Sequence, residues 1–174
     1  MTDTARIRDA LTRANETVIL RPQRGQRTYR NVATLTEGTL CHVEDGKHNL
    51  IIDVGKALGG DDAGPTPVAV LRSAMTSCVA IGIKQWAARR NVDITHLEVV
   101  LETDIDARGQ LGLRDDIAPG FEAIRLSIMV SSTAPQTLIQ DIVEASLSYS
   151  PLIDVFANAQ SISHHLSVVS TSAD

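Results

Sequence analysis

Aromatic residues make up only 3% of this 174-residue chain: one Trp, two Tyr and two Phe. That scarcity argues against a surface that stacks nucleic-acid bases, which is built from aromatic platforms. A formal net charge of −5 likewise disfavours a binder of phosphate backbones. Cysteine is nearly absent. Two residues, Cys41 and Cys78, are too few for a disulfide framework, so a reducing cytoplasm with both thiols free is the expected compartment. No uninterrupted run approaches the ~20 apolar residues that cross a bilayer. The start of the chain lacks a basic segment followed by an apolar core, so no signal peptide is expected. What is present is ordinary for a soluble globular protein, 43% hydrophobic and 21% charged. The length suits one domain with an N-terminal extension, divided here as residues 1–26 and 27–174.

Residues 3–15 carry apolar positions at Ala5, Ile7, Ala10, Leu11 and Ala14, a helical spacing. Arg21, Arg24, Arg27 and Arg30 follow at every third position. In a largely extended chain that period spreads the guanidiniums around the segment, which reads as a solvated edge or as an anion-steering arm. Three strands are expected at 28–35, 39–44 and 49–54, with Asp45 and Gly46 the stronger hairpin signal. After a Gly-rich loop at 55–64, Thr66 can cap a helix with Pro67 at its first position. That helix is expected to run to about Arg90. Between Val68 and Ile83 only Arg72, Ser73, Thr76 and Ser77 are polar, so nearly its whole circumference must be covered. One sheet covers one face, and a partner helix or second subunit would cover the other. Two long alternating strands are expected at 94–106 and 122–132, a second helix at 135–148, a short helical turn at 152–157 and a closing strand at 161–170. The tail, 171–174, is expected to fray. Strands, long helix, strands, helix, strand describe an α+β protein.

The chemistry reduces to the thiols. Asp104, Asp106 and Asp115 mimic the start of a calcium loop, but Arg108 takes a ligand position and a strand precedes it. The five histidines show no metal-ligand spacing, and no phosphate-cradling loop or nucleophile elbow occurs. No metal and no cofactor are expected. Cys78 sits inside the long apolar helix, where a thiol is either core filling or the reason for the helix. It lies too deep for the helix N-terminus to assist, so a reactive Cys78 needs a cation from elsewhere, and the Arg-rich segment is the nearest supply in sequence. Cys41 sits on a strand beside His42, where hairpin packing accounts for it.

Asp53, the stretch LGGDDAGPTP at 58–67, and Leu71 through Ser77 and Cys78 together resemble the OsmC/Ohr superfamily signature that leads into its reactive-cysteine helix. Residues 111–113 (LGL) and 117–121 (IAPGF) are similar to the connection between later long strands in one OsmC-like subgroup, and Pro151 matches the proline after the family's second cysteine. The resemblance covers roughly residues 28–169. It implies antiparallel sheets wrapped around long central helices in an intertwined homodimer, with thiol sites at the subunit interface. It also implies thiol-dependent reduction of organic hydroperoxides in oxidative-stress defence: a thiolate attacks the peroxide, becomes a sulfenic acid, condenses with a second cysteine and is restored by a thiol reductant.

Two matched positions depart from the family. Ser150 stands where the second cysteine belongs, and Val68 where active peroxidases carry a Glu that pairs with an Arg near the thiolate. The supporting Arg has no definite counterpart, with Arg27 and Arg30 the candidates. Cys41 could resolve a Cys78 sulfenic acid only from within about 7 Å, Cα to Cα. Three readings follow: a thiol peroxidase of altered mechanism, using Cys78 with Cys41 or an external thiol; a catalytically degenerate member binding a small hydrophobic ligand at the dimer interface; and a dimeric interaction protein using the Arg-rich segment.

Overall fold

The computed structural model describes residues 2–169. Helix α1 (Asp3–Leu20) is capped by the Thr2 hydroxyl, which accepts from the Ala5 N–H, and it runs five residues past the expected end at 15. Pro22–Gly25 forms a 3₁₀ turn, and the rest of the Arg-rich segment is exposed and irregular. Strands β1 (Asn31–Leu35), β2 (Cys41–Asp45) and β3 (His48–Ile52) form an antiparallel meander. Asp45 pairs with His48 across a two-residue turn, whose Gly46 has φ +60°. That is the left-handed geometry glycine tolerates.

Helix α2 (Pro67–Arg89) begins as the sequence predicts: Thr66 accepts from the Ala69 N–H at 3.2 Å and Pro67 occupies the first turn. Its buried residues Met75, Val79, Ile83 and Ala87 recur every fourth position and form one stripe. Against it lie Ile142 of α4 (Gln136–Ser148), Val92 and Ile94 of the following turn, and the inward residues of the long hairpin β4 (His96–Ile105) and β5 (Phe121–Ser131). Leu126, Ile128 and Val130 alternate inward as expected from their period of two. Helix α1 packs along α2, and Thr4 hydrogen-bonds the Asp93 carboxylate just beyond it. A short helix α3 (Ala107–Gln110) lies in the connection before β5, and α5 (Pro151–Ala157) follows α4.

One expectation is corrected, and two observations bear on others. Residues 161–169 form no strand in this chain. They are exposed and irregular, because a strand needs a free edge to pair with and none of the chain's own sheet edges receives them. Position 170 and the tail at 171–174 lie outside the described residues. Within one chain α2 is covered on one stripe, and Leu71 and Ile81 stand 41% and 58% exposed on the faces expected to meet a partner helix or second subunit. Finally, α2 has the length and mean hydropathy, 1.2, of a segment able to cross a membrane. Arg72, Ser73, Thr76, Ser77 and Lys84 break its apolar run, while an averaged hydropathy passes over such breaks. Length and composition alone carry that likeness.

The end of β3 is tied to the start of α2 by Asp53, which is 2% exposed. Its Oδ1 accepts from the Thr39 hydroxyl at 2.7 Å and the Val54 N–H at 2.8 Å, and its Oδ2 from the N–H groups of Asp61 at 3.0 Å and Ala63 at 3.2 Å. The Thr39 hydroxyl, then the Ala63 N–H, outweigh burial and hold the carboxyl at about 2, well below its ordinary range. Gly60 makes the close approach possible: a Cβ there would meet the Val54 carbonyl at 2.0 Å and the Asp53 carboxylate at 2.7 Å. Because the folded carboxyl titrates below its ordinary 3.8, its stabilising contribution is complete above about 4 and is lost as pH falls through about 2. Asp53→Asn is therefore expected to melt below wild type near neutral pH, with the gap closing between about pH 4 and pH 2. A gap in Tm that stays constant across a pH series of thermal melts would overturn this account.

Candidate functional site

Cys78 lies about three turns into α2, one residue off the buried stripe, and is half-buried. Its Sγ stands 3.6 Å from the Ser150 hydroxyl. Ser150 is 6% exposed and caps α5, its Oγ accepting from the Ile153 N–H at 3.4 Å. Pro151 then takes the first position of α5, which explains why the chain restarts a helix there. Because the Ser150 oxygen accepts at the cap, its own proton remains available to the sulfur.

Cys78 and Ser150 open onto a cavity of about 310 Å³ between α2 and the end of α4. One wall is aromatic: Trp86 stacks on Tyr149 with centroids 5.3 Å apart, and the Arg89 guanidinium lies 5.1 Å from the Trp86 ring centre. A further polar group is Ser146. It is 3% exposed, lines the same cavity, and its Oγ has no hydrogen-bond partner among the described residues. It faces Gly82, one turn beyond Cys78, where a Cβ would approach its oxygen to 2.7 Å.

The other residues singled out from the sequence fall elsewhere. Cys41 is half-buried on β2, opposite Ile52 and Leu35, and shares neither this cavity nor a hydrogen bond with Cys78. Among the described residues no Arg or Lys lines the cavity. Arg27 is exposed and donates to the Arg24 carbonyl at 3.2 Å, and Arg30 is exposed in the same segment. Val68 lines a second, apolar cavity of about 430 Å³ with Leu71, Ile105, Phe121, Ile124 and Phe156. Phe121 and Phe156 stack there at 6.3 Å. Arg125 grips Asp104 and Arg108 grips Asp106, so those carboxylates are neutralised by arginine. Among the described residues no cluster suits a metal ion.

The family model described as OsmC-like protein matches residues 59–165, more than half the chain. The chain belongs to the OsmC-like family. Among solved structures it is similar to an OsmC-like protein from Mycoplasma pneumoniae, at 17% identity and TM-score 0.65, over 76% of this chain and 89% of that one. It is also similar to an organic hydroperoxide resistance protein, OsmC, from Legionella pneumophila, at 14% identity and TM-score 0.50, over 75% and 89%. A third is an organic hydroperoxide resistance protein from Elizabethkingia anophelis, at 15% identity and TM-score 0.50, over 74% and 87%. At these identities the likeness shows the fold. No curated protein matches the sequence.

Ser146, Trp86 and Tyr149 carry no sequence signal that marks them as site residues. Ser146 reads as one more small residue in an amphipathic helix, and the aromatic pair meets only through the α2–α4 crossing. The packing of that crossing is testable. Gly82→Ala is expected to destabilise by about 1 kcal/mol, the added methyl forcing the Ser146 oxygen aside. Pairing it with Ser146→Ala, which removes that oxygen, should recover most of the loss. Strictly additive effects in urea denaturation would show that the two positions do not meet.

Proposed function

We propose that this protein reduces organic hydroperoxides with Cys78 as the attacking thiol. The observation that carries this reading is the placement of Cys78: half-buried on the central helix, open to a cavity, with the hydroxyl of Ser150 at 3.6 Å. A thiol serving only as core would sit on the Met75–Ile83 stripe. Family membership and the hydroperoxide-resistance names of the Legionella and Elizabethkingia relatives support the activity.

In the step itself the Cys78 thiolate attacks one peroxide oxygen and the O–O bond breaks. The electron pair leaves on the alkoxide, which takes a proton to become the alcohol, and the sulfur carries –OH. Cys41 shares no cavity with Cys78, so resolution falls to a thiol supplied from outside. That thiol's sulfur attacks, water leaves, and a mixed disulfide forms. A second thiol then releases Cys78 and departs as the disulfide.

The proposal includes a homodimer. Leu35, Leu50 and Ile51 of the β1–β3 meander stand 54%, 43% and 48% exposed, and Leu71 and Ile81 of α2 are also uncovered. Ile162, Leu166, Val168 and Val169 form an exposed apolar segment without a pairing edge in its own chain. A second copy would cover these surfaces at once.

A second reading is favoured by one specific observation. The cavity at Val68 is lined almost wholly by apolar side chains, as a pocket for a small hydrophobic ligand would be. Turnover of cumene hydroperoxide with a monothiol or dihydrolipoamide separates the two. The expected outcome is turnover that is abolished in Cys78→Ser and retained in Cys41→Ser. Wild-type turnover no faster than background would overturn the peroxidase and leave the ligand-binding reading. Loss of turnover in Cys41→Ser alone would make Cys41 the resolving thiol.

A further inference from the structure

Resting on the peroxidase reading above, we propose that Ser146 and Ser150 form a two-hydroxyl pocket that holds Cys78 as a sulfenic acid until an external thiol arrives. A cysteine by itself assigns nothing. The independent observation is Ser146, whose hydroxyl is buried to 3% exposure, lines the Cys78 cavity and has no partner among the described residues. An unsatisfied buried hydroxyl is destabilising, so its presence needs a reason.

Oxidation of Cys78 supplies one. Cys78 and Gly82 lie one turn apart on one face of α2, with Cβ positions about 5–6 Å apart. The Ser146 oxygen rests against Gly82. In the proposed state the oxygen added to Cys78 Sγ would turn across the cavity that both residues line and complete the hydrogen bonding of that hydroxyl. A sulfenic oxygen both donates and accepts, as does a serine hydroxyl. Ser150, already fixed at the α5 cap and in contact with Sγ, provides the second hydroxyl. Neither serine can form a disulfide, so both hold the oxidised state without resolving it. The missing side chain at Gly82 leaves the space that Ser146 occupies.

The test uses the reduced full-length protein and one equivalent of cumene hydroperoxide, with aliquots trapped by dimedone over time and read by intact and peptide mass spectrometry. Wild type is expected to give a long-lived dimedone adduct on Cys78. Ser146→Ala should fold with an unchanged or higher Tm, having lost an unsatisfied hydroxyl. It should lose the trappable species about three- to tenfold faster, with sulfinic acid growing in, as removal of one hydrogen bond implies. Equal lifetimes in wild type and Ser146→Ala would overturn the inference while leaving the peroxidase intact.

Ser150→Cys supplies an independent arm, since a thiol replaces an oxygen 3.6 Å from Sγ. It should abolish the adduct and give an intramolecular disulfide instead. Persistence of the adduct there would refute the account of why wild type rests as a sulfenic acid. If hydroperoxide leaves Cys78 unoxidised in wild type, the peroxidase reading itself falls, and this inference falls with it. Trp86, the single tryptophan and part of the cavity wall, gives a fluorescence signal for the same events.

Discussion

A single buried carboxylate connects the two halves of this chain. The β1–β3 meander shares little packing with the helices, and its faces are largely open. What joins it to α2 is Asp53, whose two oxygens take four hydrogen bonds from Thr39, Val54, Asp61 and Ala63. Burying a charge costs far more than burying a neutral group, and here four donors offset that cost. The result is directional. The loop from 54 to 63 is folded back on the end of β3, and the Asp53 N–H donates to the Pro65 carbonyl. The next residue is the Thr66 cap. The start of α2, and with it the position of Cys78, is therefore set by an interaction roughly 18 Å of helix away from the thiol.

Helix α2 then divides its surface by use. The stripe from Met75 to Ala87 makes the core with α4 and the long hairpin. Cys78, one residue round from Val79, faces the cavity at the end of α4, whose mouth the largely exposed Ile81 also lines, while Leu71 lies with Val68 at the second cavity. A residue on the stripe would be sealed, and one on the outer face would meet bulk water. The offset of one position gives Cys78 partial burial with access to the cavity. Gly82 and Ser146 bring α2 and α4 close at the same level, so the cavity floor is made by the packing itself.

Much of this frame was legible in the sequence because it is written in local chemistry. Thr66 and Pro67 announce a helix start, Asp45 and Gly46 a tight turn, and Ile124 through Val130 a half-buried strand. Each depends on residues within a few positions. The strand expected at 161–170 failed for the opposite reason: alternation shows that a segment could pair, while pairing depends on an edge elsewhere. The cavity was only half legible. Cys78 and Ser150 stood out through their place in the family motif. Ser146, Gly82, Trp86 and Tyr149 are unremarkable until α2 and α4 cross.

Ser150 and Val68 sit in different surroundings. Ser150 keeps a side-chain oxygen where α5 needs a cap, a task serine performs well. The position thus retains a structural function whatever chemistry it supports. Val68 joins Phe121, Ile124 and Phe156 in an apolar cavity, where an unpaired carboxylate would be costly. Val68 and Cys78 lie ten residues apart on one helix, about 15 Å. Within one chain the thiol therefore meets hydroxyls and aromatic faces, with no charged side chain among the residues lining its cavity. The Arg89 guanidinium lies against the Trp86 wall of that cavity without lining it, so within one chain the side chains bordering the sulfur are neutral and the nearby charge is held on the aromatic face.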